Sequence, residues 1–307
     1  MPTWGHSAAF RSGWADTRHA APQPLIRARV RPVDIDAYLA RIGHHGPRSA
    51  TLGVLAALAR CQPQAIAFEN ISVAAGGVPD LSVGALEAKL VRGGRGGYCY
   101  EQNSLLQAAL TELGFTVTGL SARVRYRLPA DVITPRSHMV LCIELPEGRF
   151  LVDAGFGGLT LTAPVMLGRL GAQPTPHEPV RLVPDGADQL LQARIGGAWV
   201  DVYRFDFAPH LPPDYVQQNW HTATRPNSLF GNNLVLTRPV AGGRHALFNR
   251  TLTWRPLGGE PTRRQIDSST ELREVLREVF SVTVPDAEFA KVADVSSRGQ
   301  AMNESFA

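Results

Sequence analysis

The chain has 307 residues, 44% apolar and 19% charged, with a formal net charge of +4; this is the balance of a globular protein with room for two or three domains and a large core. Only two of its 31 basic residues are lysines, Lys89 and Lys291, and the arginines are scattered, which argues against the basic stripe of a nucleic-acid binder. No apolar run approaches the roughly 18 residues of a membrane helix. Three cysteines, Cys61, Cys99 and Cys142, without Cys-x-x-Cys spacing, suggest neither a disulfide framework nor a zinc site and fit a reducing, cytoplasmic setting.

Residues Met1 to Arg31 carry five arginines, one acidic residue and no sustained periodicity. Such a stretch reads as an unstructured extension or a misplaced start, with an arginine-rich transit peptide as the alternative. Helical character begins at Val33, with Asp34 or Asp36 as cap and Gly43 as stop. A second helix is expected from Ser49 to Arg60, stopped by Pro63, and a third from Leu81 to Arg92, capped by Ser82. Ala67 to Val73 reads as a connecting segment.

The segment Gly93-Gly94-Arg95-Gly96-Gly97-Tyr98-Cys99-Tyr100-Glu101-Gln102-Asn103 organises the rest of the chain. Its glycines suit a backbone that turns tightly or packs closely. An amphipathic helix then begins, with Leu105, Leu106, Ala109, Leu110 and Leu113 on one side, and closes at Gly114. Cys99 therefore belongs at or near a helix N-terminus, where free N–H groups and the macrodipole favour an anion. Helix N-termini with cationic neighbours are where reactive thiolates are found. The competing reading is a small buried hydrophobe.

The period then changes. Phe115 to Arg127 reads as β structure, and Met139–Leu145 and Arg149–Val152 read as a hairpin joined by Pro146-Glu147-Gly148. Strand-like runs come next at Leu190–Ile195 and Trp199–Phe205, then a hairpin around Gly242-Gly243. A capped helix from Ser269 through Phe280 and a polar tail complete the chain. Helices first, strands next and a mixed region last give an α+β protein without a βαβ rhythm.

A nucleophilic cysteine needs a base, and the base an orienting acceptor. Of nine histidines, His6 and His19 fall in the loose N-terminus and His44 and His45 in a turn. His177, His210 and His245 read as solvated loop residues, while His221 follows Trp220. His138 differs, because it directly precedes an apolar strand whose hairpin partner ends at Asp153. A three-residue loop would pair Leu145 with Arg149 and leave His138 opposite Phe156 rather than Asp153. Contact then needs a bulge or a strand that leaves the sheet; otherwise Asp153 is a turn residue before Ala154-Gly155.

Taken together, Phe68-Glu69-Asn70, Arg95-Gly96-Gly97-Tyr98-Cys99, Ser137-His138-Met139, Val152-Asp153-Ala154-Gly155-Phe156-Gly157 and Thr224-Arg225-Pro226-Asn227-Ser228-Leu229-Phe230 resemble the arylamine N-acetyltransferase family, in family order over about residues 33 to 280. The resemblance implies an extension at 1–32, a helical bundle at 33–114 carrying Cys99, an antiparallel barrel-like β domain at 115–220 carrying His138 and Asp153, and an α/β lid at 221–307. The first two would resemble a cysteine-protease core. It implies a Cys99–His138–Asp153 triad, Phe68 and Phe156 walling an acceptor pocket, and Thr134, Gly157 and Ser228 as coenzyme A contacts. Acetyl-coenzyme A would be the cosubstrate, an arylamine, arylhydrazine or N-arylhydroxylamine the acceptor, and acetyl-Cys99 the intermediate of ping-pong kinetics. No metal, nucleic acid or membrane partner is expected, and the chain would act as a monomer or homodimer. Alternatives are an amide synthase closing a macrolactam, a cysteine peptidase or transglutaminase-like hydrolase, and a binding module in which Cys99 is merely packed.

Overall fold

A computed structural model describes residues 32–129 and 131–298; the expected N-terminal extension lies, but for Pro32, outside them. Helix α1 (Ile35–Ile42) opens with the Asp34 side chain accepting from the Ala37 N–H and ends at Gly43 in the left-handed conformation, as the sequence suggested. Helix α2 spans Leu52–Ala65, capped by Thr51, with Pro63 inside it. Proline does not stop this helix because it sits in the last turn, where its missing N–H forfeits a single bond, to the Ala59 carbonyl.

The segment expected to be a plain connection contains strand β1 (Phe68–Glu69) and a short helix α3 (Ile71–Ala74). Ser82 caps α4 (Val83–Leu86), but the next turns, Glu87–Arg92, form a π-helix and not more α-helix. Helix α5 (Cys99–Glu112) has Cys99 as its first residue.

Strands β2 (Thr116–Val124), β3 (Arg136–Leu145), β4 (Gly148–Val152), β5 (Val165–Met166), β6 (Val180–Asp185), β7 (Asp188–Ile195) and β8 (Ala198–Phe205) come next in the chain. They form one antiparallel sheet in the order β5-β4-β3-β2-β8-β7-β6. Its two edges approach each other through Gln173, whose backbone bridges Val180 of β6. The Gln173 side chain meanwhile bonds both backbone groups of Met166 in β5, at 2.8 and 2.9 Å. The sheet is thereby nearly closed into a barrel.

Helices α6 (Pro212–Thr224) and α7 (Leu229–Asn232) lead to a second sheet, made by β1 with β9 (Val235–Val240), β10 (Gly243–Phe248), β11 (Thr251–Pro256) and β12 (Thr262–Gln265). The hairpin expected at Gly242-Gly243 is the β9–β10 turn. Helix α8 (Ser269–Glu278) is capped by Ser268. The polar tail contains a further helix, α9 (Asp286–Arg298), whose Phe289 and Val292 are buried; two anchoring apolar residues were too few to stand out among charged neighbours.

Both faces of β3 are covered, which explains its unbroken apolar run. Met139, Leu141 and Ile143 pack on the helical core of α1, α2 and α5. Val140 and Cys142 face the barrel interior with Leu120, Leu151, Leu191 and Tyr203. In the second sheet Leu236, Leu247 and Leu252 pack against α8 and α9. Among the described residues no helix is long and apolar enough to cross a membrane.

Candidate active site

The glycines before Cys99 are there for space. A Cβ on Gly96 would collide with the Ala67 carbonyl oxygen, and one on Gly97 would stand 2.8 Å from Glu101 Cβ. This close approach lets Gly97 bridge Phe68 and delivers Cys99, 4% exposed, to the first position of α5. Behind the loop, Arg95 Nε bonds Glu69 at 3.0 Å and Arg95 Nη1 reaches Glu288 of α9 at 2.6 Å. Glu101 accepts from the Tyr98 N–H at 3.2 Å and from Lys89 at 2.7 Å.

The hairpin register differs from the expected one. Its turn has two residues, Pro146 and Glu147, so Leu145 pairs with Gly148, Glu144 with Arg149 and Leu141 with Val152. A glycine with φ +135 at position 148 makes the tighter turn possible. Strand β4 then ends at Val152, and Asp153 leaves the sheet. A β-bulge between β2 and β3 opposite Ala122/Arg123 leaves Ser137 without a partner and re-aims the end of β3.

Together these departures bring His138 Nε2 to 2.7 Å from Asp153 Oδ2. Both residues are buried. With Nε2 committed, Nδ1 is the ring nitrogen left for the Cys99 sulfur, which lies close enough to the imidazole to bear on its proton affinity. The other Asp153 oxygen accepts from Asn103 Nδ2 at 2.9 Å and from the Gly155 N–H at 2.8 Å. Burial alone would raise the Asp153 carboxyl, but His138, Asn103 and Gly155 outweigh it and hold it below the usual range. Burial would likewise lower His138; Asp153 and then Cys99 overcome that and push it up to about 10.

Gly155 closes the arrangement from the far side. A Cβ there would lie 2.7 Å from Cys99 Cα, so only glycine lets this turn pack on the start of α5. The Phe156 ring meets His138 edge-on at 5.2 Å and Tyr203 at 5.3 Å. Phe68 packs on Phe230 at 5.8 Å, and Gly157, at φ +85, passes over the Phe68 ring. Six of the expected residues, Phe68, Cys99, His138, Asp153, Phe156 and Gly157, thus gather around one turn.

Thr134 and Ser228 lie outside this turn. The Thr134 hydroxyl donates to the Val124 carbonyl at 2.8 Å and lines a cavity of ≈ 430 Å³ that none of Cys99, His138 and Asp153 lines. Ser228 caps α7 and donates to the Thr222 carbonyl at 2.6 Å. Of the histidines read as solvated loop residues, one is buried and one is a half-buried strand residue. His177 is buried, with Nε2 at 3.1 Å from both the Val240 and Gly243 carbonyls, and His245 packs on Trp254 at 4.6 Å in β10.

Sequence reading missed Asn103 and Tyr203. Asn103 bonds Asp153, the Met139 carbonyl at 2.7 Å and the Ala154 N–H at 2.9 Å; its spacing of four from Cys99 put it on the same helix face and was the available signal. Tyr203 packs on His138 at 5.0 Å from a strand with no sequence link to the site. Among the described residues no cluster of three or more His, Cys, Asp or Glu side chains could hold a metal.

The family model described as N-acetyltransferase matches residues 51–289. The arylamine N-acetyltransferase of Mycolicibacterium smegmatis is 38% identical over 258 residues, covering 83% of this chain and 94% of that protein. That of Escherichia coli strain K12 is 36% identical over 261 residues, covering 85% and 92%. The solved structure of Mycobacterium marinum arylamine N-acetyltransferase in complex with CoA superposes with a TM-score of 0.82 at 35% identity, over 86% of this chain and 99% of that one.

Proposed function

Because the chain belongs to the arylamine N-acetyltransferase family, we propose that it moves an acetyl group from acetyl-coenzyme A to an arylamine, arylhydrazine or N-arylhydroxylamine by double displacement through acetyl-Cys99. The single observation that carries this reading is the buried His138–Asp153 pair at 2.7 Å beside a cysteine at a helix N-terminus. Cys99 gives its proton to His138 and attacks the thioester carbonyl. The carbonyl oxygen becomes an oxyanion, for which the free N–H groups at the start of α5 are the natural donors. Coenzyme A leaves with a proton from the imidazolium, and the acetyl group stays on sulfur.

Acetylation removes one of the groups that raise the His138 pKa, since the Cys99 sulfur is among its causes. The imidazole, having passed its proton to coenzyme A, stays neutral and serves as base for the amine that attacks the acetyl-enzyme, and the Cys99 sulfur leaves as the amide forms. Asp153, held by Asn103 and Gly155, orients the ring throughout. Phe156 and Phe68 wall the acceptor side, and their rings favour an aromatic amine and exclude water that would hydrolyse the intermediate. The proposed layout has three parts, 33–114, 115–220 and 221–307, the first two forming a cysteine-protease-like core, with Thr134, Gly157 and Ser228 toward coenzyme A. Action in the cytoplasm as a monomer or homodimer belongs to the same reading.

Intact-mass analysis after mixing with acetyl-coenzyme A alone tests it. The expected result is a single acetyl adduct on the peptide containing Cys99, absent in Cys99→Ala and discharged by an arylamine. Coenzyme A release on adding amine, with no adduct detected at any time, would overturn the covalent route.

A further inference from the structure

The second sheet has two unlike faces. One carries Leu236, Leu247 and Leu252 into an apolar core. Register places Phe68, Thr237, Ala246 and Thr253 in one row of the opposite face, and Pro239, Arg244 and Arg255 in the next. This face is turned toward the site: Thr237 Oγ1 and the Phe68 ring stand 3.5 Å from where a Gly157 side chain would begin. Arg255 Nη2 donates to the Gly158 carbonyl at 2.9 Å. Gly157 and Gly158 belong to the turn whose Gly155 packs on Cys99.

Arg255 is an ill-compensated charge in that place. Its Nε is buried without a hydrogen-bond partner, as are Thr237 Oγ1 and Arg244 Nη1. The nearby carboxylate, Glu178, is engaged by Arg244 at 2.7 and 3.0 Å, and among the described residues no carboxylate makes an ion pair with Arg255. Burial, Arg244 and Arg127 disfavour its charged form and outweigh Tyr126 and Glu178, which favour it. Guanidinium groups are costly to leave desolvated and unpaired, and a planar fork is matched by a carboxylate or phosphate.

We propose that Arg255, with the Thr237 hydroxyl on the same face, is an anion subsite beside the turn at 155–158 that receives a carboxylate or phosphate oxygen carried by a substrate. The inference rests on the acetyl-transfer reading, so acetylation of wild-type Cys99 is checked first by intact mass; absence of that adduct sinks the reading itself and not the subsite alone. Two ratios then assign the anion. For an acceptor carboxylate, kcat/KM for 4-aminobenzoate relative to its methyl ester falls about tenfold in Arg255→Gln, the loss expected for a hydrogen bond to a charged group. For a donor phosphate, the rate of Cys99 acetylation by acetyl-coenzyme A relative to that by 4-nitrophenyl acetate falls by a similar factor. In either case Arg255→Lys recovers part of the loss, because it keeps the charge without the fork. Both ratios unchanged within about twofold in a folded Arg255→Gln variant overturn the proposal. If that variant does not fold, Thr237→Val carries the same two measurements, and unchanged ratios there overturn it equally.

Discussion

At the scale of single residues, the His138–Asp153 pair ties stability to pH in a definite direction. The folded imidazole is pushed up to about 10 from an ordinary 6.5, so the folded state holds this proton more tightly than the unfolded chain. Its contribution is fully present below about pH 6.5 and is lost as pH rises toward 10. The melting-temperature gap between wild type and His138→Gln should therefore shrink from pH 6 to pH 10. A gap that widens over this range would contradict the assignment. Asn103 makes a second case, because it bonds one Asp153 oxygen and two backbone groups. Asn103→Ala is expected to lower kcat by about 10- to 100-fold, the range for partners that orient a functional group, with Asp153 no longer held against the ring. Stopped-flow acetylation of Cys99 would read the effect directly. An unchanged rate would make Asn103 a packing residue only.

At the scale of elements, the glycines of the Cys99 loop divide by physical cause. Gly96 has no room for a Cβ, whereas Gly94 faces open space but has φ +61. Gly96→Ala should cost about 1–3 kcal/mol, as overpacking does, and displace Cys99, so kcat falls with stability. Gly94→Ala carries only the strain of a left-handed residue, about 1 kcal/mol, and leaves the loop path intact. Denaturant melts and acetylation rates of the two variants would separate them; equal losses in both measures would show that the loop responds as one unit. The glycine cluster and the amphipathic run after it were legible because each element is specified locally. His138–Asp153 contact was not, because a difference of one residue in the hairpin turn shifts every pairing. Counting along the sequence could name the two escapes, a bulge or a departing strand, and the structure uses both. Strand β1 and helix α9 escaped notice because each is defined by a distant partner: two residues of β1 pair with β9, and α9 is polar apart from the face it buries.

At the scale of the whole molecule, the nucleophile's loop is tied to the end of the described chain through buried charge. Arg95 stands between Glu69, fully buried on β1, and Glu288 on α9, whose side chain is 23% exposed. Burial would raise the Glu69 carboxyl, yet Lys89, Arg95 and the Ile71 N–H hold it below its ordinary value. Removing the cation at the centre takes away that carboxylate's direct ion-pair partner and leaves it the Ile71 N–H and Lys89, 4.0 Å away. Arg95→Met is expected to cost about 3–5 kcal/mol, the penalty for breaking a buried pair from one side, despite filling much of the same volume. Glu288→Gln keeps a hydrogen-bond acceptor and leaves Arg95 its bond to Glu69, so it should cost about 1 kcal/mol or less. The double variant Glu69→Gln with Arg95→Met removes both buried charges and should recover part of the Arg95→Met loss. Urea denaturation of the three proteins decides the matter: a double variant less stable than Arg95→Met would mean that the Glu69 side chain, and not its charge, holds the loop in place.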